Sequence, residues 1–90
     1  MALLLVSQQV FAGEEVIRMN GALKDFREKY VAAEMHRAFA QSPDGAWGWA
    51  TGRTSVQVAS EDAVLACTTS LKAGQRPCVV IHIDDAWFPR

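Results

Sequence analysis

The side chains in this chain that could carry covalent chemistry are two cysteines and two histidines. Cys78 and His82 fall on one face of an expected strand, four residues apart. At about 3.3 Å per residue this separation is roughly 13 Å, which is too long for the imidazole to activate the thiol. Nothing in the sequence points to a pairing of Cys67 with His36 or His82. We therefore predict no catalytic residue.

His82 and Asp84 also share a strand face, and Asp85 follows directly. An imidazole and one or two carboxylates can bind a metal ion, but this short pattern is frequent by chance. Asp84 and Asp85 point to opposite faces of a strand, so they do not form the paired carboxylates of acid–base catalysis. The expected interpretation is a polar histidine on a half-covered strand, with no metal and no cofactor.

A glycine-rich segment, residues 48–54, lies between an expected strand and an expected helix, where a phosphate-binding loop would lie. It is one residue shorter than the Walker A pattern and has Arg53 in place of its lysine. Nucleotide folds of that class also need a larger parallel sheet than 90 residues allow. We expect a packing role instead. Gly48 lies between Ala46 and Ala50 and leaves one strand face nearly flat, so that an alanine-rich helix can approach closely.

Arg53, Thr54 and Ser55 stand at the start of that expected helix. A helix N-terminus offers free amide donors and a favourable dipole to an anion. On this basis the alternative function is that of a small-molecule or anion-binding domain, with these three residues at the binding site.

Cys67 and Cys78 are predicted to form a disulfide. Cys67 falls near the end of the expected helix and Cys78 at the head of the last strand, and these places meet if the strand runs back under the helix. Such a bond would close a loop of about a dozen residues and contribute roughly 2–4 kcal/mol. The alternative is two buried thiols that behave as small hydrophobic side chains.

The elements that position these residues follow from hydrophobic periodicity. Residues 20–34 are expected to form a helix, with Asn20 as its N-cap. Two strands at 36–41 and 46–51 should form a hairpin, joined by a type I turn at 42–45.

A second helix should begin with the capping-box pattern at 54–57 and end near Leu71. The last strand is expected at 77–83, followed by a short aromatic tail. The chain is thus predicted to be an α+β domain with a three-stranded sheet and the second helix packed on one face. The helix between strands two and three suggests a crossover that makes these two strands parallel.

Residues 1–19 form an apolar N-terminal segment before the single domain at 20–90. Its first twelve residues, MALLLVSQQVFA, are too short to span a bilayer, which needs about 20 apolar residues. The apolar run and small-residue end resemble a signal peptide, but a basic n-region is missing. The segment is therefore either a signal-peptide remnant or a helix that packs its leucines within the fold. No transmembrane span is expected.

Trp47 and Trp49 lie on the strand face opposite to Gly48. If the second helix covers the flat face, the indoles must be buried by the N-terminal helix or by a partner chain. Trp87 and Phe88 in the aromatic tail add to the same predicted interface.

The composition excludes several classes of partner. The net charge is −1, from nine basic and ten acidic residues spread along the chain. No basic stripe marks a nucleic-acid-binding surface or a polybasic membrane-binding surface.

The chain length bears on stability. A chain of 90 residues buries roughly 60–65% of the surface that its unfolded form exposes and has a thin margin of stability, so a disulfide or dimerisation would add to that stability.

Three segments, AFAQSPDGAWGWATG, ASEDAVLAC and PCVVIHID, together resemble a small, largely uncharacterised bacterial domain found in short exported proteins and appended to larger ones. The resemblance covers a little over half the chain. Its matching positions are Ala38, Gly45, Trp47, Gly48, the alanines before Cys67, and Cys78. It implies an extracytoplasmic location and a Cys67–Cys78 pairing, and it implies no activity.

The sequence therefore predicts a non-enzymatic interaction or accessory module. Its expected partner is another protein or a second copy in a homodimer, with no nucleic acid bound. The expected location is periplasmic or secreted, with a cytoplasmic location as the alternative.

Overall fold

The computed structural model describes residues 13–89, and the predictions made for residues 1–12 lie outside this range. The chain is an α+β domain built on a four-stranded antiparallel sheet with the strand order β2-β1-β3-β4. Its elements are a 3₁₀ turn (Glu14–Val16), α1 (Asn20–Asp25, continued by a π-helical turn, Phe26–Tyr30), β1 (Ala38–Gln41), β2 (Trp47–Ala50), α2 (Val56–Thr68), β3 (Val79–Ile83) and β4 (Ala86–Trp87).

The prediction of three strands is wrong by one, because the aromatic tail contributes β4. Asp84 takes a positive φ of 52°, and the chain reverses over two residues so that Ala86 pairs with Ile83. The sequence pattern predicts the end of the strand at Ile83 but not the strand that follows the turn. A strand of only two residues shows no alternation that a sequence pattern could detect.

The helix starts also differ from expectation. Met19, not Asn20, is the cap residue of α1. Ser55, not Thr54, caps α2: its hydroxyl accepts a hydrogen bond from the Val58 amide at 3.1 Å. Both serine and threonine can cap a helix, so the choice between two adjacent hydroxyl residues depends on backbone conformation.

The sheet centres on β1, which pairs antiparallel with both β2 and β3. Consequently β2 and β3 run parallel to each other, as the predicted crossover requires, but β1 separates them. The hairpin turn closes through the Gly45 amide, which donates to the Ser42 carbonyl at 3.1 Å.

Small side chains fill the layer between α2 and the sheet. Ala38, Ala40 and Ala50 of the hairpin face Ala59 and Ala63 of the helix, and all five are buried. A Cβ atom built on Gly48 would lie 2.7 Å from the Ala66 carbonyl carbon. The prediction that Gly48 admits a close helix is therefore confirmed. The disulfide between Cys67 and Cys78, with a Cα–Cα distance of 6.2 Å, joins the end of α2 to the head of β3.

Aromatic side chains fill the opposite layer, beneath α1. Phe26, Tyr30 and Phe39 are buried there, and each of their ring pairs has centroids 5.2 to 5.4 Å apart. A register shift opposite Phe39 and Ala40 leaves Ile81 unpaired, so that Ile81 and His82 both face this layer.

This irregularity corrects one expectation drawn from strict alternation. Cys78 packs in the α2 layer while His82 packs in the α1 layer, so they do not share a strand face. Both faces of the sheet are covered by helices, α2 on one face and α1 on the other, and the N-terminal helix is one of the two covers that the sequence predicts for the tryptophan face.

Candidate functional site

An apolar groove of about 360 Å³ lies along the first half of β3, between the N-terminal turn and the chain around β4. We call it the β3-edge groove. Its main lining residues come from the N-terminal turn, the end of β1, β3 and the chain around β4: Val16, Gln41, Val79, Ile81, Trp87 and Phe88.

The backbone edge of β3 is only half covered. β4 pairs with His82 and Ile83, and one further bond runs from the Phe88 amide to the Ile81 carbonyl at 2.9 Å. No strand within residues 13–89 pairs with Val79 or Val80 on the side away from β1. Val79, which lines the groove, therefore belongs to a stretch of unpaired strand edge.

Three large apolar side chains of the groove reach solvent. Val79 is 53% exposed, Phe88 50% and Val16 41%. Single exposed hydrophobic residues are ordinary on a protein surface, but a group of them around a concave site is typical of a binding surface.

The N-terminal wall of the groove is held by Gln41 at the end of β1. This side chain is 6% exposed; its amide nitrogen donates to the Val16 carbonyl at 2.7 Å, and its amide oxygen accepts from the Arg18 amide at 3.1 Å. Gln41 is a positioning residue, which the sequence pattern places only at the end of the strand expected at 36–41. Nothing local distinguishes it, because its partners are more than twenty positions away.

Gly13 completes this wall against Trp87. It has a φ of 127°, and a Cβ atom built on it would lie 2.8 Å from the indole nitrogen. Trp87 in turn stacks on Phe26 with ring centroids 5.1 Å apart, so the rear of the groove rests on the α1 layer.

Two charges of opposite sign, Glu15 and Arg18, also line the groove. Neither side chain forms an ion pair with another residue in the range 13–89. The neighbouring Glu14 differs, because it binds Arg27 at 2.6 Å and this hydrogen bond lowers the pKa of Glu14.

Trp47 and Trp49 lie on the α1 face, where the sequence predicted them, and the chain itself half-buries both. The Trp47 indole donates to Asp25 at 3.0 Å, and its ring packs against Gly21. Trp49 stacks on Phe39 with centroids 6.0 Å apart. The N-terminal helix therefore covers part of Trp47, Trp49 packs within the aromatic layer, and a role of both as anchors for a partner stays a prediction.

A buried polar group ties α1 to β3. A hydrogen bond of 3.0 Å joins the Tyr30 hydroxyl to Nδ1 of His82, and these residues are 0% and 4% exposed. Burial raises the pKa of Tyr30 and lowers the pKa of His82, so both are neutral near pH 7. Arg37, which is 5% exposed, donates to Asp85 at 2.8 Å and to the Ala33 carbonyl at 2.9 Å. Tyr30 and His82 are both almost fully buried, so their hydrogen bond stabilises the packing of α1 on β3 and does not form a surface site.

His82 and Asp84, for which the sequence predicts no metal site, bind different partners: His82 is hydrogen-bonded to Tyr30. The Asp84 carboxylate binds Nδ1 of His36 at 3.1 Å and accepts from the Arg37 amide at 3.0 Å. Across residues 13–89, no three His, Cys, Asp or Glu side chains converge in a way that could hold a metal ion.

The suggested anion ligands at the start of α2 are engaged with the chain itself. Arg53 donates to Asp62 at 2.8 Å and to the Thr51 carbonyl at 2.7 Å, while Ser55 accepts from Val58. Thr54 is exposed. An anion at this place would have to compete with the Asp62 carboxylate, and the anion-binding function stays a prediction.

Comparison with protein-family models, curated proteins and solved structures finds no match to this chain. The resemblance to a bacterial domain stays a prediction for that reason. None of the helices between residues 13 and 89 has the length and apolar character needed to cross a membrane.

Proposed function

We propose that this chain is a non-enzymatic interaction module that binds an extended polypeptide segment in the β3-edge groove. The observation that carries the proposal is the unpaired outer side of Val79 and Val80 next to exposed apolar side chains. Exposed strand edges are templates for pairing with another chain. Adding a strand to such an edge is a recurring mode of peptide recognition.

The groove would recognise the bound segment through both backbone hydrogen bonds and side-chain contacts. The free N–H and C=O groups of the open β3 edge would pair with the backbone of the bound segment. Alternate side chains of that segment would contact Val79 and Phe88, because successive residues of a strand point to opposite faces. Glu15 and Arg18 would select the charges at its ends.

The sequence of β3 supports this function. Edge strands are commonly blocked by lysine or proline, but Val79–Ile83 reads VVIHI and carries neither. In this proposal Trp87 and Phe88 belong to the binding surface. Trp47 instead joins β2 to α1 through its hydrogen bond to Asp25, and Trp49 stacks on Phe39 of the neighbouring strand β1.

The test is a titration of the isotope-labelled full chain with a capped peptide of alternating valine and threonine, carrying a lysine at one end and a glutamate at the other, the charges opposite to those of Glu15 and Arg18. We expect amide shift changes at Val79, Val80 and Phe88, and none along α2. The control is the same peptide with N-methylated backbone amides, which cannot form a ladder. Equal binding of the methylated peptide, or shifts confined to α2, would refute strand addition.

We further propose that the chain works outside the cytoplasm, in a periplasmic or secreted setting. The Cys67–Cys78 disulfide supports this location, since such bonds persist in oxidising compartments and are rare in the cytosol. The measurement is the intact mass of the chain from its native cells, with thiols alkylated at lysis. Unlabelled cysteines are expected. Two labelled cysteines would place the chain in the cytoplasm.

A further inference from the structure

We infer that the segment bound in the β3-edge groove is β3 of a second copy of this chain. The two copies would pair their β3 strands antiparallel about a two-fold axis, so that the two sheets join into one. This inference rests on the proposed function and names its partner.

The open edge suits pairing with itself. Antiparallel pairing of one strand with its own copy is isologous, so the contact closes at two chains and leaves no free groove. The other sheet edge, β2, gives a different result. Pairing of β3 with β2 of a neighbour would be head-to-tail and would extend into fibres.

The charges beside the groove favour a second copy over a strongly charged partner. Glu15 and Arg18 give the groove one carboxylate and one guanidinium, neither used in an ion pair within residues 13–89. A two-fold axis presents the same two charges on the partner, so each can meet its opposite. The net charge of −1 adds little repulsion between copies.

The apolar side chains of the groove are matched in the same way. Val79, Phe88 and Val16 are 53%, 50% and 41% exposed in a single chain. Around a two-fold axis they would form one shared apolar core with their own copies. Covering these side chains removes apolar surface from water, which is the main favourable term in association.

The experiment is sedimentation equilibrium of the full chain at concentrations up to about 100 µM, above the micromolar range of weaker specific interfaces. We expect a monomer–dimer equilibrium. Because each copy contributes the substituted residue, Val79→Lys places two positive charges in the paired β3 strands, and it should raise the dimer Kd by about 30-fold or more. The matched control is Leu65→Lys on α2, where the side chain is 63% exposed, and it should leave Kd unchanged.

Phe88→Ser serves as a second variant in case lysine disturbs the strand, and near-UV circular dichroism checks that each variant folds. A chain that stays monomeric overturns the homodimer. If that monomer still shows peptide-induced shifts at Val79 and Val80, the proposed function stands without it. A dimer that resists both groove variants, but dissociates with Leu65→Lys, uses another face and also overturns the inference.

Discussion

Replacing Gly48 with alanine tests the close packing of α2 on β2. The added Cβ atom would lie 2.7 Å from the Ala66 carbonyl carbon and 2.8 Å from the Ala66 Cβ, and closer still to the Cys67 amide nitrogen. Carbon atoms in favourable contact are about 3.5–4.0 Å apart, so the two elements must separate by about 1 Å. Two of these obstacles are helix backbone, which cannot move aside by changing a rotamer.

The expected cost follows from this geometry. Overpacking a well-packed core typically costs about 1–3 kcal/mol, and a clash with backbone belongs at the upper end. Alanine is better than glycine in a strand by about 0.5–1 kcal/mol, which offsets part of the loss. The net destabilisation should be about 2–2.5 kcal/mol. For a domain of this size that corresponds to a fall in Tm of roughly 10–20 °C.

Urea denaturation of the oxidised wild type and variant would measure the change in free energy of unfolding. Gly74→Ala is the control, because Gly74 has a positive φ of 86° and nothing lies within 4 Å of the added Cβ. That variant should lose only about 1–2 kcal/mol to backbone strain. The reasoning fails if Gly48→Ala unfolds within about 0.5 kcal/mol of wild type, a change typical of surface substitutions.

Three further outcomes are expected. Replacing Cys67 and Cys78 together with alanine should lower the free energy of unfolding in urea by about 3 kcal/mol, from their separation of 11 residues, and a reductant should reproduce this loss only in the wild type. Tyr30→Phe leaves the buried imidazole nitrogen unpartnered and should cost about 1–3 kcal/mol in the same assay, whereas an unchanged midpoint would contradict the hydrogen bond. The hydrogen bond from Arg76 lowers the pKa of Asp44 from 3.8 to about 2, so as the pH falls the Asp44 carboxylate is protonated in the unfolded chain before it is protonated in the folded one. The stabilisation that the Asp44–Arg76 ion pair gives to the fold is therefore complete above pH 3.8 and is lost as the pH falls towards 2. Acid unfolding curves of Asp44→Asn should therefore decline less steeply over that range than those of the wild type.

Much of the fold was predictable because it depends on short-range patterns. The hairpin turn has proline and glycine at positions that suit a turn, and it forms at 42–45. The flat face at Gly48 follows from alternation along β2, and the facing alanines of α2 follow from helical spacing. The pairing of Cys67 with Cys78 followed from their places at the ends of consecutive elements.

The candidate site was not predictable in the same way. The β3-edge groove exists because β4 stops after two residues and because Gln41 holds the chain near Val16 and Arg18. The bulge near Ile81 then turns two successive side chains to one face. Each of these features depends on contacts between residues distant in the chain.

The sequence by itself determined which residues build each layer: small side chains on one face of the hairpin and aromatic ones on the other, set by the two-residue period of a strand. Only the tertiary structure decided which strand edge stays open, since a strand edge is free or paired according to what the rest of the chain places beside it. In the sequence, Val79 and Val80 are simply part of the strand expected at 77–83. They become an exposed edge because β4 covers only the second half of β3.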